Sequence, residues 1–229
     1  MRKCIVLSGQ YRTFDQTWKK IKELIDKNNL DVYCHLWSTD QQEIKNVIDR
    51  LKPMGFLAED YSKYSDIFDN IEQRIRSINP KGVNQDKLAG NASMNYGRKA
   101  AFNLVPKEKY DTVVYCRYDI NITQLLHFER IEQITTPLAE SYNLISDIFA
   151  IMPMEMAESY FLYDDYERLH STPWEPEFLE WLRNVKKYPE HDIQTHIHTR
   201  YCPHLLLMRN IVMHGHKFVI YNLPVYIQR

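Results

Sequence analysis

The sequence predicts an α/β fold, a single domain in which helices flank a mostly parallel central sheet. Strand-like apolar runs alternate with amphipathic helical patterns through the first 51 residues, and parallel strands need such crossover helices. The length of 229 residues fits one domain of this class. No repeat, low-complexity stretch or linker marks a second domain, so we expect one domain over residues 1–229.

The first four elements form a βαβα opening. A β-branched apolar run ends at a turn that contains Gly9, which predicts a buried strand. Trp18, Ile21 and Leu24 then recur at helical spacing, and Pro53 closes a second amphipathic helix. The predicted bounds are strand 4–7, helix 14–27, strand 31–37 and helix 41–51. We expect right-handed crossovers to wind these elements into a parallel sheet.

The remaining elements alternate less regularly. Residues 110–115 form the most strand-like stretch of the chain, and residues 79–90 have the composition of a mobile loop. The other predicted elements are strand 55–57, helix 65–78, helix 92–104, strand 144–151, helix 154–169, a helical segment at 174–188, one or two helices within 192–209, and strand 218–221.

Composition and charge exclude several classes of function. The 29 basic and 30 acidic residues nearly cancel, and no basic stripe appears, so we expect no nucleic-acid partner. The apolar run after the basic start is too short for a signal peptide, and no stretch approaches about 20 apolar residues. We therefore expect no transmembrane segment and a cytoplasmic location, or the host cytoplasm for a viral protein.

The four cysteines predict neither a disulfide framework nor a clustered metal site. They lie far apart, and three of them fall inside strand-like runs. This spacing favours buried reduced thiols. The four are Cys4, Cys34, Cys116 and Cys202.

The segment after the first strand is a candidate ligand-binding loop. Open α/β sheets bind ligands beyond the carboxyl ends of their strands. Gly9 would let the backbone approach a ligand, and Ser8 and Gln10 can form hydrogen bonds. Arg12 offers a planar fork suited to a diphosphate. The alternative is an ordinary turn with a solvated arginine.

A second candidate site follows the strand at 110–115. Arg117, Asp119 and Asn121 alternate and would point to one side of an extended chain. A carboxylate with a nearby amide oxygen can hold a hard divalent cation, which would bridge phosphates. The alternative is that Asp119 pairs with Arg117 or with another cation.

Two histidine pairs raise a zinc hypothesis. They are His196 with His198 and His214 with His216. The spacings that make a zinc assignment specific are missing. Surface or core histidines are the competing interpretation.

Four segments resemble a known group of enzymes. SGQYRTF at 8–14, DVYCHLW at 31–37, SMNYGRKAAFNLV at 93–105 and YDTVVYCRYDINI at 110–122 are similar to small GT-A glycosyltransferases of large viruses, phages and bacterial polysaccharide loci. The shared pattern is a Ser-Gly-Gln-x-Arg start, a strand ending in His-x-Trp, and a Tyr-Asp-x-Val-x-x-x-Arg-x-Asp segment. The match is clearest over residues 4–147 and includes Asp147.

The resemblance implies a GT-A-like, Rossmann-like fold and a nucleotide-sugar donor. Residues 1–122 would form the half that binds the nucleotide sugar, and residues 123–229 the acceptor side. Asp119 would occupy the metal-binding position of the Asp-x-Asp motif, with Mn²⁺ or Mg²⁺ as cofactor. The sequence departs from that motif, because Arg117 and Asn121 stand where a second aspartate could occur. Arg117 would still bind the donor, Asn121 would be a second metal ligand, and the resemblance nominates His216 as a further one.

The resemblance also assigns roles to the donor-binding and catalytic residues. The first loop would face the nucleotide and its diphosphate, Trp37 would lie near the base, and Tyr96 or Lys99 would lie nearby. A carboxylate would accept the acceptor proton if the reaction inverts configuration. Asp147 is the preferred base, with Glu190 and Asp192 as substitutes.

The predicted activity is sugar transfer, hexosyl or deoxyhexosyl, from a nucleotide diphosphate sugar to a glycan or other hydroxyl acceptor. A UDP-sugar is the expected donor, and a metal would assist. Two alternatives stay open, a nucleotidyltransferase and a non-catalytic module that binds nucleotide sugars or glycans. A nucleotidyltransferase would normally show a glycine-rich phosphate loop or a denser acidic cluster, and neither is visible in the sequence.

Overall fold

The structure is a computed structural model that describes most of the chain. The described residues are 1–78, 88–124, 126–137, 145–161, 174–191, 193–194, 203–221, 223 and 225–228.

Strands and helices alternate through the first half of the chain and become less regular in the second. The strands are β1 Lys3–Gln10, β2 Leu30–Trp37, β3 Gly55–Glu59, β4 Thr112–Arg117, β5 Ile120–Ile122, β6 Ile134–Pro137, β7 Phe149–Pro153, β8 Phe218–Tyr221 and β9 Val225–Ile227. The helices are α1 Phe14–Asn28, α2 Gln41–Leu51, α3 Ser65–Ile78, α4 Leu88–Asn103, α5 Ala157–Phe161, α6 Pro176–Asn184 and α7 Pro203–Met213. Short 3₁₀ helices lie at Tyr61–Lys63, Lys107–Lys109 and Met154–Met156.

Seven strands form one central sheet in the order β3-β2-β1-β4-β7-β6-β8. Strands β1 to β4 pair in parallel, and β6 pairs in parallel with β8. Strand β7 is antiparallel to both of its neighbours, so β6 and β8 run in the same direction as β1. The predicted mostly parallel α/β fold is therefore confirmed. A separate pair of strands, β5 and β9, is antiparallel.

Helices cover both faces of the sheet. Since the side chains of a strand alternate between its two sides, each strand contributes residues to a core on either face. Ile5 and Leu7 belong to a core with residues of α1 and α2. Cys4 and Val6 belong to a second core with residues of α4, α5, α6 and α7. Both cores include residues from before and after position 122, so the two halves of the chain share one sheet and one pair of cores.

Local signals account for the helix ends that the sequence predicts well. The bounds of α2 agree with the prediction, since the Asp40 carboxylate accepts hydrogen bonds from the backbone N–H groups of Gln42 and Glu43 at its N-terminus. Lys52 ends the same helix in a left-handed conformation. The predicted bounds of α3 and β8 also agree with the structure.

Strand β1 is longer than its apolar run predicts. Its pairing with β2 continues through Ser8, Gly9 and Gln10, so these residues end the strand instead of forming a turn. Gly9 has a φ of 136°, a backbone conformation that favours glycine.

The second half of the chain departs further from prediction. Strand β7 begins at Phe149 and runs antiparallel, and Asp147 precedes it. Strands β5, β6 and β9 are not predicted, since none of them contains more than three consecutive apolar residues, whereas all four residues of β8 are apolar. The loop predicted at 79–90 is helical from Leu88. The rest of that loop and parts of the helices predicted at 154–169 and 192–209 lie outside the described residues.

The described cysteines agree with the prediction of buried thiols. Cys4, Cys34 and Cys116 are free, buried and located in strands. Burial raises the pKa of Cys34 to about 12. Cys202 lies outside the described residues. Over the described part of the chain, no helix has the length and apolar character to cross a membrane.

Candidate nucleotide-binding site

The candidate site lies where the strand order reverses. The chain builds β1, β2 and β3 outward in one direction, and β4 then adds to the other side of β1. In open α/β sheets, ligands bind at this switch point, outside the carboxyl ends of the strands. Here β1 ends at Gln10 and β4 ends at Arg117. The two segments that the sequence singles out therefore meet at one edge of the sheet.

The end of β1 combines a buried hydroxyl with an exposed amide. The Ser8 hydroxyl is buried and lies 3.2 Å from the hydroxyl of Tyr115 on β4. That contact holds Ser8 within the core and links β1 to β4. Gln10 is exposed and accepts a hydrogen bond from Arg12.

Arg12 adopts a backbone conformation that is uncommon for arginine. Its φ is 38°, in the left-handed region, and such outliers concentrate at functional sites. Its Nε donates to Gln10 Oε1 at 2.9 Å, and its Nη1 donates to Asp119 Oδ2 at 3.0 Å. The side chain keeps 52% of its surface exposed, so the guanidinium group remains open to a ligand.

Asp119 and Arg117 form a two-pronged ion pair at the end of β4. Arg117 Nε donates to Oδ1 at 2.8 Å, and Nη2 donates to Oδ2 at 2.6 Å. Asp119 is only 3% exposed. Burial opposes the charged form of Arg117, but the hydrogen bonds and charge of Asp119 outweigh it and raise the pKa of Arg117, with smaller effects of Tyr115 and Asp147. Asp119 thus holds two guanidinium groups, those of Arg12 and Arg117.

Asn121 does not join this cluster. The extended chain breaks in a turn at Tyr118 and Asp119, and Asn121 lies in β5 opposite Tyr226. Its Nδ2 donates to the Tyr226 hydroxyl at 3.0 Å and to Gln228 Oε1 at 3.1 Å. Arg117 and Asp119 therefore lie together, as the expected alternation predicts. Asn121 instead faces the last strand, β9, because the turn interrupts the extended chain.

These residues do not fit the divalent cation that the sequence predicts. Both oxygens of Asp119 accept hydrogen bonds from guanidinium groups, and Asn121 points elsewhere. Two unit charges 4 Å apart interact by about 4 kcal/mol near a protein surface, so a dication beside Arg117 would meet substantial repulsion. No group of three or more metal-ligating side chains occurs among the described residues. We therefore assign no metal to Asp119 or Asn121.

Asp147 lies beside the end of β4, although it precedes β7. The Arg117 N–H donates to the carbonyl oxygen of Ile148 at 3.2 Å, which places Asp147 at the same edge of the sheet as Arg117. Asp147 is 7% exposed, and its Oδ1 lies 3.9 Å from Nδ1 of His204 in the first turn of α7. A buried carboxylate next to an imidazole can exchange a proton with a bound hydroxyl.

The rings of Trp37 and Tyr96 stack on each other at the end of β2. Their centroids lie 5.3 Å apart, and Trp37 Nε1 donates to the Ser93 carbonyl oxygen at 3.4 Å. Trp37 is buried, so it packs in the core at the end of β2. Lys99 is half-buried on α4, one turn beyond Tyr96.

The sequence did not predict a polar network that adjoins these two rings, formed by His35, Glu59 and Tyr64. His35 is fully buried, and its Nε2 lies 2.9 Å from Glu59 Oε2 at the end of β3. Glu59 Oε1 accepts hydrogen bonds from Tyr64 at 2.5 Å and from Tyr96 at 3.2 Å. The signal was present, because His35 is the histidine of the His-x-Trp strand ending. Glu59 carried no signal of its own.

Two other predicted residues, Glu190 and His216, make no hydrogen bond or ion pair with Arg12, Arg117 or Asp119 in the described part of the chain. Glu190 is exposed and pairs with Arg183 at 2.8 Å, which lowers the pKa of Glu190 to about 2. His216 precedes β8, which runs parallel to β1, so it lies at the opposite edge of the sheet from Asp119. We therefore leave His216 out of the site. Asp192, His196 and His198 lie outside the described residues.

No protein-family model and no curated protein matches the sequence. Among solved structures, the chain is similar to mouse xyloside xylosyltransferase 1 at 9% identity and a TM-score of 0.44, covering 96% of this chain and 85% of that one. It is also similar to the glycosyltransferase GlyE of Streptococcus pneumoniae at 10% identity and a TM-score of 0.43, over 96% of this chain but only 45% of that one. A galactosyltransferase, LgtC, solved with donor and acceptor sugar analogues, matches at 9% identity and a TM-score of 0.42, over 94% and 72%. These likenesses concern the overall fold, and all three proteins are glycosyltransferases.

Proposed function

We propose that this protein is a glycosyltransferase that moves a sugar from a nucleotide diphosphate sugar to a glycan or other hydroxyl acceptor. One observation carries the proposal: Arg12 and Arg117 converge at the switch point of a mostly parallel sheet. That edge is where open α/β sheets bind nucleotides, and guanidinium groups match the shape and charge of phosphates. A uridine nucleotide and a hexosyl or deoxyhexosyl group are the first donor to test.

The site residues divide the work between binding and chemistry. Arg12 and Arg117 would neutralise the charge that develops on the departing diphosphate. Gln10 would orient Arg12, to which it is hydrogen-bonded. Asp147 would accept the proton of the acceptor hydroxyl in an inverting reaction. Residues 1–122 would supply most donor contacts, and residues 123–229 the acceptor side.

A ligand screen followed by a product assay tests this proposal. A ligand that binds only the native state stabilises it by about 2.7 kcal/mol at a concentration of 100 Kd, so nucleotide sugars that bind will raise the melting temperature. Each ligand that binds is then incubated with the protein, and released sugar and nucleotide are quantified. We expect slow release of free sugar together with nucleoside diphosphate.

Two other outcomes would contradict the proposal in different ways. Release or incorporation of pyrophosphate would indicate a nucleotidyltransferase. Stabilisation by a nucleotide sugar without turnover, in the presence of a panel of glycan acceptors, would indicate a binding module.

A further inference from the structure

We propose that this site binds the diphosphate of its donor without a divalent cation, with the guanidinium groups of Arg12 and Arg117 supplying the positive charge. The identity of the ligand rests on the proposed function. The mode of binding rests on the charges and contacts at the switch point.

The first argument is the charge balance of the described cluster. Two guanidinium groups share one carboxylate, that of Asp119, which leaves these three groups with an excess of one positive charge. Asp147 acts on Arg117 by its charge from the same edge, but it forms an ion pair with neither arginine in the described structure. This excess attracts an anion and repels a cation. To coordinate a metal ion through an oxygen that no arginine shares, Asp119 would have to leave Arg117 at Oδ1, or both arginines at Oδ2.

The second argument is that both arginines retain donors for a ligand. Arg12 uses Nε and Nη1, and its Nη2 has no hydrogen-bond partner in the described structure. Arg117 uses Nε and Nη2 on Asp119, and among the described residues its Nη1 meets only the Met94 sulfur, a weak acceptor, at 3.8 Å. A diphosphate at this edge can take these donors without breaking the contacts to Asp119.

The third argument is that the cluster is held in place before any ligand arrives. Asp119 is buried, and its carbonyl oxygen accepts a hydrogen bond from the Gln228 N–H at 2.7 Å. The guanidinium group of Arg12 is hydrogen-bonded to Gln10 through Nε and to Asp119 through Nη1. A positive site that is already organised binds phosphate with less reorganisation. Asp119 is therefore a positioning residue for the two arginines.

Calorimetric titration of the full chain tests the inference, with UDP and inorganic pyrophosphate as probes. Each probe is titrated once in excess EDTA and once in Mn²⁺. We expect the dissociation constant in EDTA to lie within about threefold of the value in Mn²⁺, a difference below 1 kcal/mol. Binding of UDP that weakens more than about tenfold in EDTA would overturn the inference.

Variants identify the residues that carry the charge. In EDTA, we expect Arg12→Ala and Arg117→Gln each to weaken binding of UDP roughly tenfold or more, the scale of a charge-assisted hydrogen bond. The matched control is Arg130→Ala, an exposed arginine (81% of its side-chain surface) that precedes β6 at the opposite edge of the sheet. Arg130→Ala should bind UDP like the parent. If all three variants bind alike, the arginines do not form the site.

The Asp119→Asn variant tests whether the carboxylate of Asp119 positions the two arginines or binds a metal ion. For a metal ligand, the parent would gain affinity for UDP from Mn²⁺, and Asp119→Asn would lose that gain. We expect no Mn²⁺ effect in either protein. Melting curves verify that each variant is folded. Should Asp119→Asn fail to fold, the EDTA titration of the parent and the two arginine variants decides the question.

The outcomes also separate this inference from the proposed function. Binding of UDP in EDTA without any sugar transfer contradicts the proposed function and supports the inference. Sugar transfer that requires Mn²⁺ for donor binding supports the function and overturns the inference. Binding of neither UDP nor pyrophosphate under either condition contradicts both.

Discussion

Asp147 is a buried carboxylate whose position follows from its neighbours in space. It precedes an antiparallel strand, lies beside the end of β4, and faces His204 of α7 at 3.9 Å. Isolated buried charges are costly, so a buried acid of this kind has either a structural partner or a chemical task. The paired histidine and the adjacent arginine site make both roles testable in one variant.

Asp147→Asn is expected to preserve donor affinity and the melting temperature but to lower turnover by roughly 100-fold or more, the usual scale of general-base catalysis. The amide keeps the shape of the carboxylate and removes its ability to accept a proton. Steady-state kinetics and a melting curve on the same preparation measure both effects. Glu190→Gln is the control, since Glu190 is exposed and paired with Arg183. A loss of stability with unchanged turnover per folded molecule would make Asp147 structural.

His35 predicts how stability depends on pH. Burial lowers its pKa, and the hydrogen bond and charge of Glu59 offset this only in part. A histidine of the unfolded chain titrates near 6.5, so below about pH 6.5 the unfolded state takes up a proton that the folded state does not. The stabilisation is complete above that pH and is lost as the pH falls toward the lowered pKa. We expect the free energy of unfolding to fall between about pH 7 and 5.

Urea titrations at several pH values measure this slope. Burial opposes ionisation of Glu59, but hydrogen bonds from Tyr64 and His35 lower its pKa overall, so its own contribution is lost only below about pH 4.5. His35→Gln should flatten the slope above pH 5, whatever its effect on absolute stability. His127→Gln, on an exposed residue before β6, is the control and should retain the slope of the parent. A parent protein with no slope would refute the assignment.

Helix α4 packs very closely against the end of β2 at Gly97. This contact links the polar network of His35 and Glu59 to the candidate site. A Cβ at Gly97 would lie 2.9 Å from His35 Nδ1 and 3.3 Å from Trp37 Nε1. Only glycine lets this helix approach the end of β2 so closely. The approach sets the position of Ser93 and Met94, which contact Trp37 and Arg117 respectively.

Gly97→Ala should therefore push α4 away from β2 and cost about 1–3 kcal/mol of stability, the usual scale of overpacking. Denaturant unfolding gives the change in free energy. A shift in tryptophan fluorescence should accompany it, because the ring of Trp37 must move. An unchanged unfolding midpoint would mean that β2 and α4 separate without cost, contrary to the packing described above.

The central sheet makes the two halves of the chain one folding unit. Strand β4 pairs with β7, β5 pairs with β9, and the core around Ile5 and Leu7 includes Phe149 and Val225. The proposed division at residue 122 is thus a division of contacts with ligands and does not separate two independent folds. The site itself depends on the far half, since Asp119 is bonded to Gln228.

A fragment of residues 1–122 is expected to lack a cooperative thermal transition. It would expose the apolar surface that β7 and β9 cover and leave the edge of β4 unpaired. Circular dichroism melting compares it with the full chain. A sharp transition in the fragment would show that the first half folds independently.

Local pattern predicts those parts of the molecule whose signals are local. The βαβα opening and the bounds of α2, α3 and β8 follow from apolar periodicity and capping residues. The parallel sheet follows from that opening, and it places the ends of β1 and β4 together. The sequence pattern singles out Arg12 in one candidate site and Arg117 with Asp119 in a second, and the resemblance to GT-A enzymes predicts that both face one donor.

Only the tertiary structure determines which residues far apart in the chain contact each other. Strands β5, β6 and β9 lack the continuous apolar run of four residues that marks β8. The antiparallel direction of β7 comes from its pairing with β4 and β6, which its own residues do not encode. The sequence is compatible with either a metal ion or a guanidinium group as the partner of Asp119. In the structure, the turn at the end of β4 places Asp119 against two arginines. His216 lies at the far edge of the sheet because the direction of β8 comes from its pairing with β6. Pairing and charge partners join residues far apart in the chain, so no local pattern encodes them.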